Sequence, residues 1–214
     1  MARIGIDLNH VVRNINKQIV KYYKKDIDRA FDDDKLDLNV VNIMKDLNFK
    51  SKKEESKFLF EDYPFEVFGS APMMDRDLSV KINKLIVDLA DKESNHTISF
   101  FSTKEKGLSI QSSYFFLSKI GSRVREVFFP KSYKEAWEKF DMIITSDIAL
   151  VDEKPEGKEV ILVKKNDTTA NKKCYLVVPS LSDLLDLGMG WMDVVSYEKL
   201  SWNQKLKFKL FHKI

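Results

Sequence analysis

Four polar residues of this sequence stand directly after apolar runs that are typical of buried strands. They are Asp7, Ser102, Thr103 and Asp147. Carboxylates can hold Mg²⁺, a hard cation that prefers oxygen ligands. With metal charge neutralising a phosphate, a carboxylate can attack phosphorus, and a hydroxyl can donate to a phosphoryl oxygen. The residue types therefore predict phosphoryl transfer on a small phosphorylated substrate, with Asp7 as the nucleophile.

The elements that would position these residues are apolar runs alternating with amphipathic segments, which predict an α/β fold with a mainly parallel sheet. Six runs are expected to form strands: Arg3–Leu8, Thr97–Phe101, Val124–Phe129, Met142–Thr145, Glu159–Val163 and Tyr175–Val178. The first run suits a strand that is buried on both faces, so we expect it in the middle of the sheet. Ligands of such sheets bind beyond the carboxyl ends of the strands, where the strand order switches.

The segment of residues 26–74 is dense in charge and has only weak helical periodicity. We therefore expect it to form a small, mostly helical insertion above the carboxyl ends of the strands. Residues 1–25 and 75–190 would form the core domain, and residues 191–214 a basic amphipathic tail. Within the tail, residues 202–214 could pack on the domain itself, contact a partner protein or bind an anionic membrane surface.

Composition excludes several classes of protein. A net charge of +3 over 214 residues is too small to indicate nucleic acid binding. The single cysteine, Cys174, allows no internal disulfide and suits a reducing compartment. Because no apolar stretch has the length of a signal peptide or a transmembrane helix, we expect a cytoplasmic protein.

Three segments resemble motifs of the haloacid dehalogenase-like (HAD-like) superfamily. Residues 7–12, Asp-Leu-Asn-His-Val-Val, are similar to its first motif, Asp-x-Asp-x-Thr/Val. Residues 100–103, Phe-Phe-Ser-Thr, are similar to its second motif. Residues 140–147, Phe-Asp-Met-Ile-Ile-Thr-Ser-Asp, resemble its fourth motif as found in the 5′-nucleotidase branch. The chain also resembles uncharacterised proteins of large tailed phages, which would place it in the host cytoplasm.

The resemblance implies a Rossmann-like core sheet flanked by helices, with residues 26–74 as a helical cap. It implies an Mg²⁺-dependent phosphatase, with nucleotides as candidate substrates. The metal would be held by Asp7, Asp147 and a backbone carbonyl near Asn9, and the phosphate by Ser102 and Thr103. The third motif supplies a lysine. Lys119 precedes the third strand and is our assignment, with Lys104 and Lys106 as alternatives.

Two departures from the family pattern bear on activity. Asn9 stands where the family has its general acid and base, and loss of that group costs about 10²–10⁴-fold in rate. The paired acidic residues of the fourth motif are reduced to Ser146 and Asp147. We expect slow turnover, a preference for good leaving groups and a gain from Asn9→Asp. The alternative is a catalytically inactive HAD-like binding or assembly protein. A dinucleotide-binding fold is less favoured, because no glycine-rich turn follows the first run.

Each candidate also has a structural interpretation. Asp7, Asn9, Ser102, Thr103 and Asp147 are residue types that cap helices and turns. His10 stands beside the proposed site, but a lone histidine is more often a packing or surface residue. Only the spatial arrangement of these side chains separates the two interpretations.

Overall fold

The computed structural model describes residues 2–34, 36–38, 41, 43–91, 96–103, 105–164, 173–188 and 191. Six strands form one parallel sheet: β1 (Arg3–Asp7), β2 (Thr97–Phe101), β3 (Val127–Phe128), β4 (Met142–Thr145), β5 (Glu159–Val163) and β6 (Leu176–Val178). Their order is β3-β2-β1-β4-β5-β6. The predicted α/β class, the parallel sheet and the central place of the first strand are confirmed.

The central strand is apolar because both of its faces are covered. Ile4 and Ile6 are fully buried on one face, in a cluster with residues of β2 and β4. Gly5 faces the other way, and a Cβ atom there would lie only 2.6 Å from the ring of Phe140. A glycine is therefore required at this position, since any side chain would clash with that ring.

The third strand is shorter than the run Val124–Phe129 that predicted it. Only Val127–Phe128 pairs with β2, at the edge of the sheet, and both residues are half-buried. The exposed charges of Arg125 and Glu126 precede this pair. An edge strand is covered less completely than a central one, so its apolar run is weaker and its bounds are harder to predict.

Helices connect the strands and cover both faces of the sheet. They are α1 (Ile15–Asp26), α2 (Lys52–Lys57), α3 (Leu78–Asp91), α4 (Leu108–Lys119), α5 (Tyr133–Lys139), α6 (Ile148–Asp152) and α7 (Leu181–Asp186). A 3₁₀ turn and two π-helical turns add Ile43–Asp46, Phe58–Asp62 and Phe65–Gly69. Ser180 caps α7, because its hydroxyl accepts a hydrogen bond from the Asp183 N–H at 3.1 Å.

The described part of the insertion is helical and has an apolar core of its own. Its buried residues include Ile43, Phe58 and Phe68, and the buried face of α1 joins the same cluster through Ile19 and Tyr23. The sequence grouped α1 with the core domain, and in the structure α1 also packs against the insertion. The division into core, insertion and tail stays a prediction.

Most of the predicted tail lies outside the described residues. Trp191 is fully buried in the largest apolar cluster, and the proposed roles of residues 202–214 fall on positions that the structure does not describe. Among the described helices, none combines the length and the apolar character needed to cross a membrane.

Candidate active site

Asp7 is the last residue of the central strand, beside the point where the strand order changes direction. The chain runs from β1 to β2 and β3 on one side, then returns to β4, β5 and β6 on the other. The switch point therefore lies between β1 and β4, which is where ligands bind in open α/β sheets. Asp7 is only 8% exposed. Its Oδ1 accepts from the Asn9 N–H at 3.2 Å, and its Oδ2 accepts from the Thr145 hydroxyl at 2.9 Å.

Asp147 lies across the same switch point, two residues beyond the end of β4. Its Oδ1 accepts from the Ala149 N–H at 3.1 Å and so caps α6, and its Oδ2 accepts from the Tyr133 hydroxyl at 2.8 Å. Thr145 joins the two aspartates, because its hydroxyl donates to Asp7 and accepts from the Asp147 N–H at 3.1 Å. Burial and the bond to Asp147 raise the pKa of Tyr133 above its ordinary value.

A small cavity of about 10 Å³ lies between these side chains. That volume is of the order needed for a single water molecule. Its walls include all five polar residues that were predicted to bind metal and phosphate: Asp7, Asn9, Ser102, Thr103 and Asp147. His10, Val41 and Ser146 complete the walls. The fold therefore brings together residues that are up to 140 positions apart in the numbering, from Asp7 to Asp147.

Asn9 is fixed by hydrogen bonds from both ends of its amide. Its Nδ2 donates to the Ser102 hydroxyl at 2.8 Å, and its Oδ1 accepts from Nε of Arg13 at 3.0 Å. The hydroxyl of Ser102 in turn faces Glu105 and helps to lower the pKa of that carboxyl. Both partners of the Asn9 amide are protein side chains, and Asn9 is only 4% exposed. Position 9 is thus part of a structural network as well as a wall of the cavity.

The centre of this network is a fully buried ion pair that the sequence alone does not reveal. Nη2 of Arg13 lies 2.5 Å from Oε1 of Glu105 and donates to Ser113 at 2.8 Å, while Nη1 donates to the Phe68 carbonyl at 2.6 Å. The guanidinium carbon also lies 5.2 Å from the centroid of the Phe116 ring. Arg13 therefore joins the site, the insertion and α4.

Burial dominates the electrostatics of this pair. It raises the pKa of Glu105, and the charge of Arg13 together with the hydroxyls of Ser113 and Ser102 opposes that rise. The one sequence signal for the pair was an arginine directly after Val11 and Val12, four positions beyond Asn9. Its partner lies 92 positions away, in a segment whose charges look like an ordinary surface loop.

Lys119 is not brought to the site. It is the last residue of α4, which runs from the carboxyl end of β2 back to the amino end of β3. Its exposed side chain therefore starts from the opposite edge of the sheet to Asp7. Lys106 donates to the Ser56 hydroxyl at 3.0 Å, and its ammonium group lies over the ring of Phe60. Lys104 lies outside the described residues.

Another lysine, Lys131, lies at the carboxyl edge of the sheet, as Asp7 does. The Tyr133 hydroxyl reaches Asp147, so the turn between β3 and α5 lies beside the site. Lys131 is in that turn, three residues beyond the end of β3, and its side chain is exposed. Lys131 was not among the candidates because the lysine was sought before the third strand, whereas Lys131 follows it.

The oxygen atoms at the switch point fit a hard cation. Asp7 and Asp147 supply carboxylate oxygens, and the buried Oγ of Ser146 beside them has no hydrogen-bond partner among the residues that the structure describes. Such an orphaned oxygen is expected to meet an ion, a water molecule or a ligand. In the part of the chain that is described, no group of three or more acidic, histidine or cysteine side chains is suited to hold a metal. Two carboxylates and neutral oxygens would form the site.

Comparison with known proteins gives similarity at the level of structure alone. No family model and no curated protein matches the sequence. A Bacteroides fragilis protein described as haloacid dehalogenase-like hydrolase has a similar structure, with a TM-score of 0.57 and 12% identity, covering 86% of this chain and 99% of that one. A Thermotoga maritima protein described as beta-phosphoglucomutase follows, with a TM-score of 0.50 and 11% identity, covering 94% and 100%.

At such low identity these similarities establish the fold. The resemblance seen in the three sequence motifs is thereby supported in its coarser part, and the 5′-nucleotidase branch and a phage origin stay predictions. The order of strands, the aspartates at the switch point and the structural neighbours agree: the chain has a HAD-like α/β fold, a mainly parallel six-stranded sheet flanked by helices.

Proposed function

We propose that this protein is an Mg²⁺-dependent phosphomonoester hydrolase in which Asp7 is the nucleophile. One observation carries the proposal: Asp7 and Asp147, at the ends of adjacent strands, line a single cavity with Ser102 and Thr103 at the switch point of a HAD-like sheet. Oxygen ligands for a metal, hydroxyls for a phosphate and a carboxylate nucleophile are thereby close to one another.

In the reaction proposed here, a carboxylate oxygen of Asp7 forms a bond to phosphorus while the ester oxygen departs with its electron pair. Water then cleaves the acyl phosphate, releasing inorganic phosphate and restoring Asp7. The Thr145 hydroxyl orients the carboxylate for the first step. Asn9 holds no proton that it can transfer, so the leaving group must depart as an anion or take its proton from water.

The polar residues of the site would also bind the metal and the phosphate. Asp7, Asp147 and the backbone carbonyl at Asn9 would hold Mg²⁺, which supplies charge neutralisation of the phosphate when bound. Ser102 and Thr103 would donate to phosphoryl oxygens. For Ser102 this requires its hydroxyl to turn away from Glu105. We assign the lysine of the site to Lys131 instead of Lys119, because the turn of Lys131 lies beside Asp147 and Lys119 lies at the opposite edge of the sheet.

A second candidate is a non-catalytic binding or assembly protein with the same fold. The arrangement of Asn9 favours it, since both ends of the amide are held by Arg13 and Ser102 in a buried network. In this account the site keeps its shape without turnover. A nucleotide substrate and a cytoplasmic location stay predictions under either candidate.

Release of p-nitrophenol from its phosphate ester, with and without Mg²⁺, tests the proposal. Wild type should show slow Mg²⁺-dependent release, and Asp7→Asn should abolish it by removing the nucleophile and a metal ligand. Asp152→Asn is the matched control, because that side chain is 60% exposed and belongs to a surface ion pair. If wild type releases no more product than Asp7→Asn, the hydrolase proposal is wrong and the non-catalytic candidate replaces it.

A further inference from the structure

A large cleft continues from the small cavity on the β4 side of Asp7. Its volume is about 840 Å³, and it shares His10, Val41, Ser146 and Asp147 with the cavity walls. It extends past the ends of β5 and β6, where Lys164 and Ser180 line it. Cleft volumes of this order hold whole small-molecule ligands. A substrate with its phosphate at Asp7 would therefore extend its remaining part into this cleft.

The cleft is apolar along much of its wall. Eight apolar residues contribute: Val11, Val41, Met74, Ile148, Ala149, Val163, Pro179 and Leu181. The accessible parts of Val41, Met74 and Ile148 suit an apolar segment of a ligand, because covering them removes apolar surface from water. The charged groups on the wall are four carboxylates and two lysines, namely Asp37, Asp75, Asp147, Asp183, Lys45 and Lys164.

Among the described residues, Asp75 differs from the cleft carboxylates Asp147 and Asp183 in having a buried oxygen without a partner. Its Oδ2 makes no hydrogen bond, within the part of the chain that is described. By contrast, Asp183 accepts from the Ser180 hydroxyl at 2.7 Å, and Asp147 is held by Tyr133. Leaving a buried carboxylate oxygen unsatisfied is costly, so a donor is expected there. Because this oxygen is covered in the structure, the Asp75 side chain would turn toward the cleft to accept a hydrogen bond from a ligand.

The backbone around Asp75 is well fixed. Met74 N–H donates to the Val12 carbonyl at 2.9 Å, and Asn14 N–H donates to the Pro72 carbonyl at 2.8 Å. This short pairing holds the return segment of the insertion against the loop that follows Asp7. The backbone at Asp75 is therefore held beside the site, which favours a recognition role for its side chain.

We propose that the cleft binds the leaving group of the substrate and that Asp75 recognises a protonated amine on it. The substrate class is thus a phosphate monoester with an apolar spacer and an ammonium group. This inference rests on the proposed hydrolase function, because it places the phosphate at Asp7. A carboxylate and an ammonium group form a charge-assisted hydrogen bond, which is stronger than a neutral one.

Two matched esters test the inference: 4-(aminomethyl)phenyl phosphate and 4-ethylphenyl phosphate, which differ in an ammonium against a methyl group. Wild type should prefer the amine in kcat/KM by about tenfold or more. Asp75→Asn should lose most of that preference, and the difference between the two proteins cancels any effect of leaving-group acidity. Asp77→Asn is the control, because Asp77 is exposed and does not line the cleft.

Calorimetric binding of 4-hydroxybenzylamine, which carries no phosphate, separates this inference from the proposed function. If neither ester is hydrolysed but the amine binds wild type and fails to bind Asp75→Asn, the cleft assignment stands and the hydrolase proposal fails. If the esters are hydrolysed with no preference that depends on Asp75, the cleft assignment is overturned and the hydrolase proposal stands. Equal binding of the amine to both proteins also overturns the cleft assignment.

Discussion

The two sides of Asp7 are built in opposite ways. On the β2 side, Asn9, Ser102, Glu105 and Arg13 are all at most 7% exposed and are bonded to one another. On the β4 side, Asp147 faces a cleft of about 840 Å³. The β2 side of the site is therefore packed like a protein core, and we call it the closed side. The β4 side keeps space for a ligand.

This difference accounts for the amide at position 9. A carboxylate there would lie next to Asp7 and would share the single guanidinium of Arg13 with Glu105. Two buried carboxylates beside one cation would leave a net negative charge without compensation, which is strongly unfavourable in a buried network. Asn9 keeps both hydrogen bonds and adds no charge. The buried ion pair thus explains why position 9 holds an amide and no acid–base group.

The largest expected effect comes from breaking the pair on the closed side. Arg13→Met leaves Glu105 buried without a counter-ion, and we expect the free energy of unfolding to fall by about 3–5 kcal/mol. Urea titration measures it. Lys52→Met is the matched control, because Lys52 is 84% exposed in its ion pair with Glu55, and exposed pairs contribute about 1 kcal/mol or less. Equal losses in the two variants would contradict the account of the closed side.

The same variant predicts a dependence of stability on pH. Burial already raises the pKa of Glu105 above 4.5, and loss of Arg13 removes the charge that opposes the rise. The folded state then keeps a proton that the unfolded state releases. The free energy of unfolding of Arg13→Met should fall as pH rises from about 4.5 to the folded-state pKa, and it should level off above that pKa. The double variant Arg13→Met/Glu105→Gln should lose this dependence, and a slope unchanged by Glu105→Gln would assign it to another group.

The next effect compares two lysines at opposite edges of the sheet. Lys131→Met removes a positive charge from the turn beside Asp147, and we expect kcat/KM for p-nitrophenyl phosphate to fall about tenfold or more. Lys119→Met removes the same charge at the amino edge and should leave kcat/KM unchanged. Steady-state kinetics of the two variants measures both. A loss in Lys119→Met alone would restore our original assignment of the lysine.

The smallest effect is expected from Asn9→Asp. The new carboxylate would pair with Arg13 Nε, which stabilises its ionised form and weakens it as an acid. The rate gain on an ester with a poor leaving group should therefore stay below about tenfold, short of the 10²–10⁴-fold typical of a general acid. The comparison of wild type and variant on an alkyl phosphate measures it. A gain of a hundredfold would show that the closed side still accommodates an acid.

Much of this fold was predictable because its strands have strong local signals. The apolar runs of β1, β2, β4 and β5 carry the sheet, and each polar residue that lines the cavity follows a run that the sequence marks. A parallel strand that is buried on both faces has consecutive apolar residues, so it can be predicted without knowing which distant segments it contacts.

The rest depends on contacts between distant segments. The pairing of Arg13 with Glu105 spans 92 positions and has no local pattern. Lys119 was misplaced because the direction of α4 puts its last residue at the amino edge of the sheet. The packing of α1 with the insertion was likewise hidden, since an amphipathic helix reveals that it has an apolar face but not which partner covers it.

The central claim is that Asp7 attacks phosphorus, and trapping the covalent intermediate tests it most directly. Wild type is mixed with p-nitrophenyl phosphate and Mg²⁺, quenched in acid during turnover and analysed by mass spectrometry of its peptides. The account predicts one added phosphoryl group on the peptide that contains Asp7, absent without Mg²⁺ and absent in Asp7→Asn. Turnover that depends on Mg²⁺ but leaves no phosphoryl group on Asp7 under any quench time, or a phosphoryl group that persists in Asp7→Asn, would contradict it.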